Sequence, residues 1–222
     1  TGTLNDSIYI SYSPFLDQNT TNGNQNQDLF DTYDCAPDTR EFGPEVVYQF
    51  TMPALGYFRA EIKDLVGVDV DLHLLQNPQV NPNGHVSGCI ERSHTLLEVN
   101  QLPAGDYFLV IDSWTNAAGN EYSGAYDLMV EWLPFNEWTE APITSEVTLK
   151  RYYHQQDGAQ QIIHVVEISQ AAVQRVEPRR HQGCQDVAQV AQNSNAITGI
   201  NANFFTGGSC TPTDLLKTNQ VL

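Results

Sequence analysis

The residues that could do chemistry are concentrated near the end of the 222-residue chain. An apolar run, 197–200, leads into the amides of Asn201 and Asn203 and then into the rings of Phe204 and Phe205. That order predicts a short buried strand whose end presents polar groups, and such strand ends often hold ligands. An amide can orient sugar hydroxyls or stabilise charge, but it cannot act as a general acid. Two interpretations stay open: one wall of a substrate-binding site, or a strand end whose amides bond to neighbouring backbone groups.

Two carboxylates, Asp69 and Asp71, have the spacing of a candidate metal site. On a strand, residues i and i+2 share a face, so both side chains can reach one hard cation such as Ca²⁺. The alternative is that they are exposed residues at the rim of a sheet, or that one of them caps a turn. Ca²⁺ is therefore the single cofactor that the sequence suggests.

The four cysteines are spaced like structural disulfides and not like zinc ligands, since none forms a C-x-x-C pair. Two lie in each half of the chain, which favours Cys35–Cys89 and Cys184–Cys210 among the three pairings that four cysteines allow. Disulfides persist in oxidising compartments. The sequence therefore predicts a secreted, extracellular protein, with a signal peptide absent from the chain as given.

The charge balance excludes several classes of partner. Acidic residues number 27 against 10 basic ones, which gives a formal net charge of −17. Such a surface repels phosphate backbones and anionic lipids, so neither nucleic acid nor a membrane surface is an expected partner. No apolar run approaches the roughly 18 residues that a membrane-spanning helix needs.

Short alternating segments dominate the first half of the chain. Strands are predicted at 45–52, 57–62, 68–75, 95–99, 107–113 and 125–132. Turns rich in Gly, Pro and Asn separate these segments and no helical period is present, which is typical of an antiparallel β-sandwich or jelly roll. Trp114 and Tyr122 lie beside turns, where such rings either line a binding surface or close the edge of the sandwich.

Seven motifs of this half also stand in the order of a known family. They are Tyr33-Asp-Cys35, Gly43-Pro-Glu-Val-Val-Tyr48, Asp69-Val-Asp-Leu-His-Leu-Leu75, Cys89, Leu102-Pro-Ala-Gly-Asp-Tyr-Phe108, Val110-Ile-Asp112 and Ser123-Gly-Ala-Tyr-Asp-Leu128. On these motifs, residues 8–132 resemble the bacterial pre-peptidase C-terminal domain. The resemblance implies a non-catalytic β-sandwich of exported enzymes that acts in secretion, surface attachment or binding of glycans and other extracellular polymers. Some related sandwiches bind Ca²⁺.

The second half has a different pattern. Strands are predicted at 147–153, 161–168 and 172–176, a helix with one apolar face at 186–193, and then the buried strand described above. This order predicts a mainly β protein in three parts. The parts are a sandwich domain (1–132), a linker that contains prolines (133–143) and an incomplete α+β domain with one clear helix (144–222).

This second part resembles the N-terminal portion of the phosphodiester glycosidase family. The motifs are His164-Val-Val-Glu-Ile168, Val187-Ala-Gln-Val-Ala191, Ala196 through Phe205, and Thr211-Pro-Thr213. The resemblance implies a glycosyl-phosphodiester hydrolase in which the segment from Asn201 to Phe205 borders the active site. However, Ala202 and Asn203 replace two glycines of the family, and its later motifs do not occur.

The catalytic residues stay unidentified. Glycosidic cleavage usually needs two carboxyl groups that flank the bond, and no acid of this half lies in a segment typical of a pocket floor. The alternative hypothesis is a non-catalytic adhesion or assembly protein. Its second domain would then be completed by another chain or copy through exposed strand edges.

Overall fold

A computed structural model describes residues 3–23, 28–156, 159–176, 187–199, 205–206 and 211–212. The strands of the first part are β1 Ile8–Tyr9, β2 Phe15–Thr20, β3 Thr32–Tyr33, β4 Val46–Met52, β5 Gly56–Asp64, β6 Val70–Val80, β7 His85–Ser93, β8 Leu96–Leu102, β9 Gly105–Ser113 and β10 Ala125–Pro134. The later elements are β11 Trp138–Thr144, β12 Val147–Gln156, β13 Ala159–Ile168, a 3₁₀ turn at Val173–Arg175, the helix α1 Val187–Asn193, β14 Phe205–Thr206 and β15 Thr211–Pro212. Within these ranges, no helix has the length and apolar character needed to cross a membrane.

Two sheets form the sandwich that the alternating segments predict. One has six strands in the order β1-β4-β9-β6-β7-β3, and the other has four in the order β2-β10-β5-β8. The longer strands pair antiparallel, while the two-residue strands β1 and β3 pair parallel at the edges of the six-stranded sheet. The prediction of a mainly β, sandwich-rich fold is confirmed.

The first core lies between these two sheets and is apolar. Alternate residues of β4, such as Tyr48 and Phe50, point into it, and so do Phe58 of β5 and Trp132 of β10. The ring of Phe50 stacks on three others, with centroid distances of 4.8 Å to Phe58, 5.4 Å to Trp132 and 5.6 Å to Tyr107. Burial of such rings removes large apolar areas from water and therefore contributes strongly to folding.

The second core lies on the opposite face of the six-stranded sheet. There the intervening residues of the same strands meet Phe30 and Tyr33, which lie in the chain segment 28–45. The sheet residues are Val47, Leu75, Val86 and Val110. This arrangement explains why β4, β6 and β9 are apolar on both faces, a pattern that strands covered on both sides require.

A disulfide crosslinks two chain segments beside the second core. Cys35 is bonded to Cys89 across a sequence separation of 54, which confirms this part of the predicted pairing. Beside it, the carboxylate of Asp34 accepts the backbone N–H groups of Gly88 and Cys89, both at 3.0 Å. A disulfide is compatible with an extracellular or secreted protein. Cys184 and Cys210 lie outside the described residues.

A third sheet contains β11, β12 and β13 in that order. The end of β10 and most of β11 occupy the segment 133–143, for which the sequence predicts a linker. Strand pairing is possible there because alternate residues bury their side chains: Thr139 and Ala141 are both buried. The predicted domain limits at 132 and 144 stay a prediction.

The chain forms two compact units, Thr1–Ala141 with Leu149–Val166, and Pro142–Thr148 with Glu167–Leu222. In the second unit, the backbone of Ser169 donates to Glu146 O at 2.9 Å, and Arg175 pairs with the Glu146 carboxylate. The prediction of a helix at 186–193 is confirmed by α1.

Two strand predictions in the second unit are wrong. Residues 172–176 contain the 3₁₀ turn, because Arg175 N bonds to Ala172 O at 2.9 Å and bends the chain away from an extended path. Residues 196–199 form no strand, and Ile197 is 55% exposed. The backbone of Ala196 instead bonds to Ala191 O at 2.9 Å, so this stretch closes the end of α1.

Candidate functional site

A row of one exposed ring and two partly buried rings crosses the third sheet. Trp138 lies on β11, and Tyr152 and His154 lie on the adjacent strand β12. The ring centroids are 5.2 Å apart between Trp138 and Tyr152 and 6.2 Å apart between Tyr152 and His154. We call these three residues the aromatic row. Half of the Trp138 surface is exposed, at 50%.

An ion pair continues the same face. Because residues two apart on a strand share a face, Glu140 lies beside Trp138 and Lys150 lies beside Tyr152. Lys150 Nζ is 3.1 Å from Glu140 Oε1. The face therefore combines flat apolar surfaces with two hydrogen-bonding groups of opposite charge.

Buried contacts on the opposite face of β12 hold the aromatic row in place. Arg151 is almost fully buried, pairs with Glu131 and donates through Nη2 to Ser13 Oγ at 2.8 Å. Ser13 is itself bonded to the backbone of Trp132, so β12 is tied to the sandwich. Burial lowers the pKa of Arg151 to about 10, which leaves it charged at neutral pH.

This arrangement suits recognition of a ligand with flat apolar faces and polar edges. Exposed aromatic rings offer large, rigid contact areas at low cost in conformational entropy. The Glu140 carboxylate accepts hydrogen bonds, and the Lys150 ammonium group donates them. Sugar rings have both features, an apolar face of C–H groups and a rim of hydroxyls.

A second concentration of polar side chains lies in the second core. Its members are Glu41, Glu45, Asp71, His73 and Asp112, all at 0–1% exposed. The Nε2 atom of His73 lies 3.7 Å from Glu41 Oε1. Substrates cannot reach groups that are buried to this extent, so this cluster is part of the protein's internal structure.

Burial controls the protonation of this cluster. It raises the pKa of Glu41 from 4.5 to about 9, and the nearby Asp71 carboxylate adds to the rise while Arg92 opposes it. Burial also raises the pKa of Glu45 to about 8 and lowers the pKa of His73 to about 3. His73 is therefore neutral at neutral pH, which suits its stacking on Tyr33 at 3.7 Å between centroids.

The predicted metal ligands Asp69 and Asp71 belong to an ion-pair network. Arg92 donates to Asp71 Oδ2, and His94 Nδ1 lies 3.0 Å from Asp71 Oδ1 and 3.3 Å from Asp69 Oδ1. Asp69 and His94 also share a cluster with Asp64, in which the nearest ligand atoms all lie within 4.8 Å of one another. The guanidinium of Arg92 thus supplies positive charge at Asp71, and Ca²⁺ binding stays a prediction.

The predicted substrate-binding residues are described only in part. Asn201, Asn203 and Phe204 lie outside the described residues, and the backbone of Phe205 belongs to β14. The phosphodiester glycosidase assignment therefore stays a prediction.

Sequence reasoning missed the aromatic row. Trp138 falls in the segment that the prolines mark as a linker, and Tyr152 falls in a strand singled out only for its alternation. The available signal was periodic: Trp138 with Glu140 on one strand, and Lys150 with Tyr152 and His154 on the other, repeat at intervals of two.

Comparison with known proteins found structural similarity alone. No protein-family profile and no curated protein matches this sequence. Two solved structures are among those that match. Each alignment covers 57% of this chain and 95% of the solved structure, with a TM-score of 0.35. They are PliG of Aeromonas hydrophila, a periplasmic inhibitor of g-type lysozyme, at 9% identity, and the pre-peptidase C-terminal domain of a collagenase from Bacillus anthracis, at 14%. The second is a domain of the family that residues 8–132 resemble, at low identity and partial coverage.

Proposed function

We propose that this chain contains a non-catalytic binding module of a secreted protein, and that the aromatic row binds an uncharged glycan or a similar extracellular polymer. The observation that carries the proposal is the row itself, three neighbouring rings on one sheet face with Trp138 half exposed. Exposed aromatic surface on a rigid support is uncommon in a soluble domain unless it contacts a ligand or partner.

The charge of the protein limits which polymers the aromatic row can bind. The chain carries a net charge of −17, so polyanions such as nucleic acids or uronic-acid polymers are repelled. On the binding face, the 3.1 Å contact with Glu140 neutralises Lys150. An uncharged polymer meets no electrostatic penalty at this face, and its hydroxyls can bond to both members of the pair.

A binding role also agrees with the position of the acids. Among the described residues, the carboxyl groups with the most strongly raised pKa values are Glu41, Glu45 and Asp112, and all three are buried in the second core. A glycosidase needs a protonated carboxyl group in contact with its substrate. These groups meet the first requirement and not the second.

Affinity electrophoresis tests the proposal. The native protein is run through gels that contain hydroxyethyl cellulose, soluble starch or polygalacturonate, together with the double variant Trp138→Ala/Tyr152→Ala. We expect an uncharged polymer to retard the native protein, the variant to lose at least about tenfold in affinity, and polygalacturonate to have no effect.

The matched control is Tyr9→Ala, which removes a ring that is 59% exposed from β1, at an edge of the six-stranded sheet. This control should be retarded like the native protein. Equal retardation of the double variant, or no retardation of the native protein by either uncharged polymer, would contradict the proposal.

A further inference from the structure

Three side chains that can ligate a metal converge at the turn between β5 and β6. Asp64 ends β5, Asp69 directly precedes β6, and His94 lies between β7 and β8. We call these three residues the turn cluster, and their nearest ligand atoms all lie within 4.8 Å of one another. Both carboxylates are only partly buried, and the His94 side chain is 53% exposed. An ion from solvent can therefore reach the turn cluster.

The backbone holds the two carboxylates of the turn cluster in place. The Asp69 N–H donates to Tyr122 O at 2.9 Å, and Asp69 O accepts the N–H of Trp114 at 3.0 Å. Asp64 pairs with Tyr126 in the ladder between β5 and β10. Side chains that project from fixed backbone lose less freedom when they gather round an ion. The turn cluster is therefore largely preorganised.

The distances agree with the coordination shell of a small divalent cation. Zn²⁺ binds imidazole nitrogen and carboxylate oxygen at about 2.1 Å, so neighbouring ligand atoms of a tetrahedral ion lie about 3.4 Å apart. His94 Nδ1 lies 3.3 Å from Asp69 Oδ1. The Asp64 carboxylate, within 4.8 Å of both, can reach the same ion by rotation of its side chain.

The charges around the turn cluster favour a dication. Asp71 Oδ1 lies 3.0 Å from His94 Nδ1, and Arg92 pairs with the other oxygen of Asp71. The carboxylates of Asp64, Asp69 and Asp71 together exceed the charge of Arg92 by two negative charges when His94 is a neutral ligand. A dication balances this excess. The net charge of −17 also attracts cations to the protein surface.

We propose that Asp64, Asp69 and His94 bind a transition-metal dication, for which Zn²⁺ is the best fit. An imidazole ligand favours Zn²⁺ over Ca²⁺, which takes oxygen ligands. This site therefore differs in both ligands and metal from the predicted Ca²⁺ site at Asp69 and Asp71. A bound ion joins both ends of the turn 65–68, whose Val66 is fully exposed, to the connection between β7 and β8. The site is independent of the aromatic row and of the proposed polymer binding.

Isothermal titration calorimetry of the full chain with ZnCl₂ tests the site. We expect saturable Zn²⁺ binding, with Ca²⁺ and Mg²⁺ at least about tenfold weaker. His94→Gln and Asp64→Asn each remove one ligand and should each lower the Zn²⁺ affinity by at least about tenfold. Neither side chain is buried, so both variants should keep the native melting temperature in the absence of metal.

Two matched controls remove the same groups elsewhere. His164→Gln removes an exposed imidazole from β13, and Asp38→Asn removes an exposed carboxylate. Both controls should bind Zn²⁺ like the native protein. Absence of saturable Zn²⁺ binding by the native protein would overturn the proposal and leave an ion pair only. Native affinity in His94→Gln and Asp64→Asn would overturn it as well.

Hydrogen exchange gives a second readout that depends on the place where the ion binds. The reporter is the backbone amide of Val68, which bonds to Leu65 O across the turn at 3.0 Å. We expect Zn²⁺ to increase its protection in the native protein and not in His94→Gln. An equal increase in both proteins would contradict the site, because the ion would then act without the His94 ligand.

Discussion

The two faces of the six-stranded sheet carry cores of opposite character. The face towards the four-stranded sheet is apolar, with stacked rings such as Phe50 and Phe58. The other face has fewer apolar residues and buries ionisable groups that include Glu45, His73 and Asp112. The first core therefore derives its stability from area and shape, whereas the second depends on protonation, hydrogen bonds and a disulfide.

This difference shows which part of the molecule responds to its surroundings. Apolar packing changes little with pH or redox state, so the sandwich should persist when either condition changes. Buried carboxyl groups and a disulfide respond to both conditions. The second core is therefore the part whose stability should depend more on the solution conditions.

The largest expected effect comes from breaking the first core. Phe50→Ala removes a ring that stacks on Phe58, Tyr107 and Trp132. We expect the free energy of unfolding to fall by about 3–5 kcal/mol, because the neighbouring rings cannot fill the cavity. Urea unfolding followed by circular dichroism measures this loss.

Two controls sharpen that result. Leu16→Ala, at a residue that is 71% exposed on β2, should change the free energy of unfolding by less than about 0.5 kcal/mol. Phe30→Ala removes a ring from the second core. It should mainly reduce the protection of the Asp31 and Asp34 backbone amides against hydrogen exchange. A global loss as large as that of Phe50→Ala would contradict the distinction between the cores.

A similar or somewhat smaller effect is expected from the disulfide. The double variant Cys35→Ser/Cys89→Ser removes a crosslink between residues 54 apart. On the chain-entropy account, the free energy of unfolding should fall by about 4 kcal/mol, since the unfolded chain regains the freedom of a long loop. Urea unfolding at pH 6 without reductant measures it. A loss below about 1 kcal/mol would show that the segment 28–45 stays packed on the six-stranded sheet without its crosslink.

The first core could be predicted from sequence because the alternation of side chains along each strand produces it. In β4, the alternation of Tyr48 and Phe50 with Val47 and Gln49 is visible in the letters. The disulfide Cys35–Cys89 was predicted from the positions of the four cysteines, two in each half of the chain. The strand β7 was missed because Ser87, Gly88 and Glu91 interrupt any apolar pattern, and its partner β6 supplies the pairing instead.

The second core and the aromatic row could not be predicted in the same way. The partners of Glu45 and Asp112 are Leu29 and Tyr33, far away in sequence and in a segment without periodicity. Buried acids look like surface acids in a chain with 27 of them. The aromatic row depends on the pairing of β11 with β12, and the prolines around Trp138 suggested a linker instead.

The smallest expected effect concerns calcium at the border of the second core. Since Arg92 already pairs with Asp71, we expect excess Ca²⁺ to leave the melting temperature unchanged within about 1 °C. Arg92→Ala should instead destabilise the fold, because it removes the guanidinium that pairs with the buried Asp71 carboxylate. A clear rise in melting temperature with Ca²⁺ but not with Mg²⁺ would support the metal site at Asp69 and Asp71.

The central claim is that the aromatic row is the binding surface, and the tryptophan indole signals test it most directly. The chain has three tryptophans. Trp132 lies in the first core, Trp114 contacts Tyr122 beside a turn, and Trp138 belongs to the aromatic row. Each gives one indole N–H resonance in a ¹⁵N-labelled sample, and the variant Trp138→Phe assigns its own. On titration with oligosaccharides of the retarding polymer, we predict that the Trp138 resonance moves while those of Trp114 and Trp132 stay in place. Movement of Trp114 with an unchanged Trp138 would contradict the account and transfer the binding surface to the edge of the sandwich.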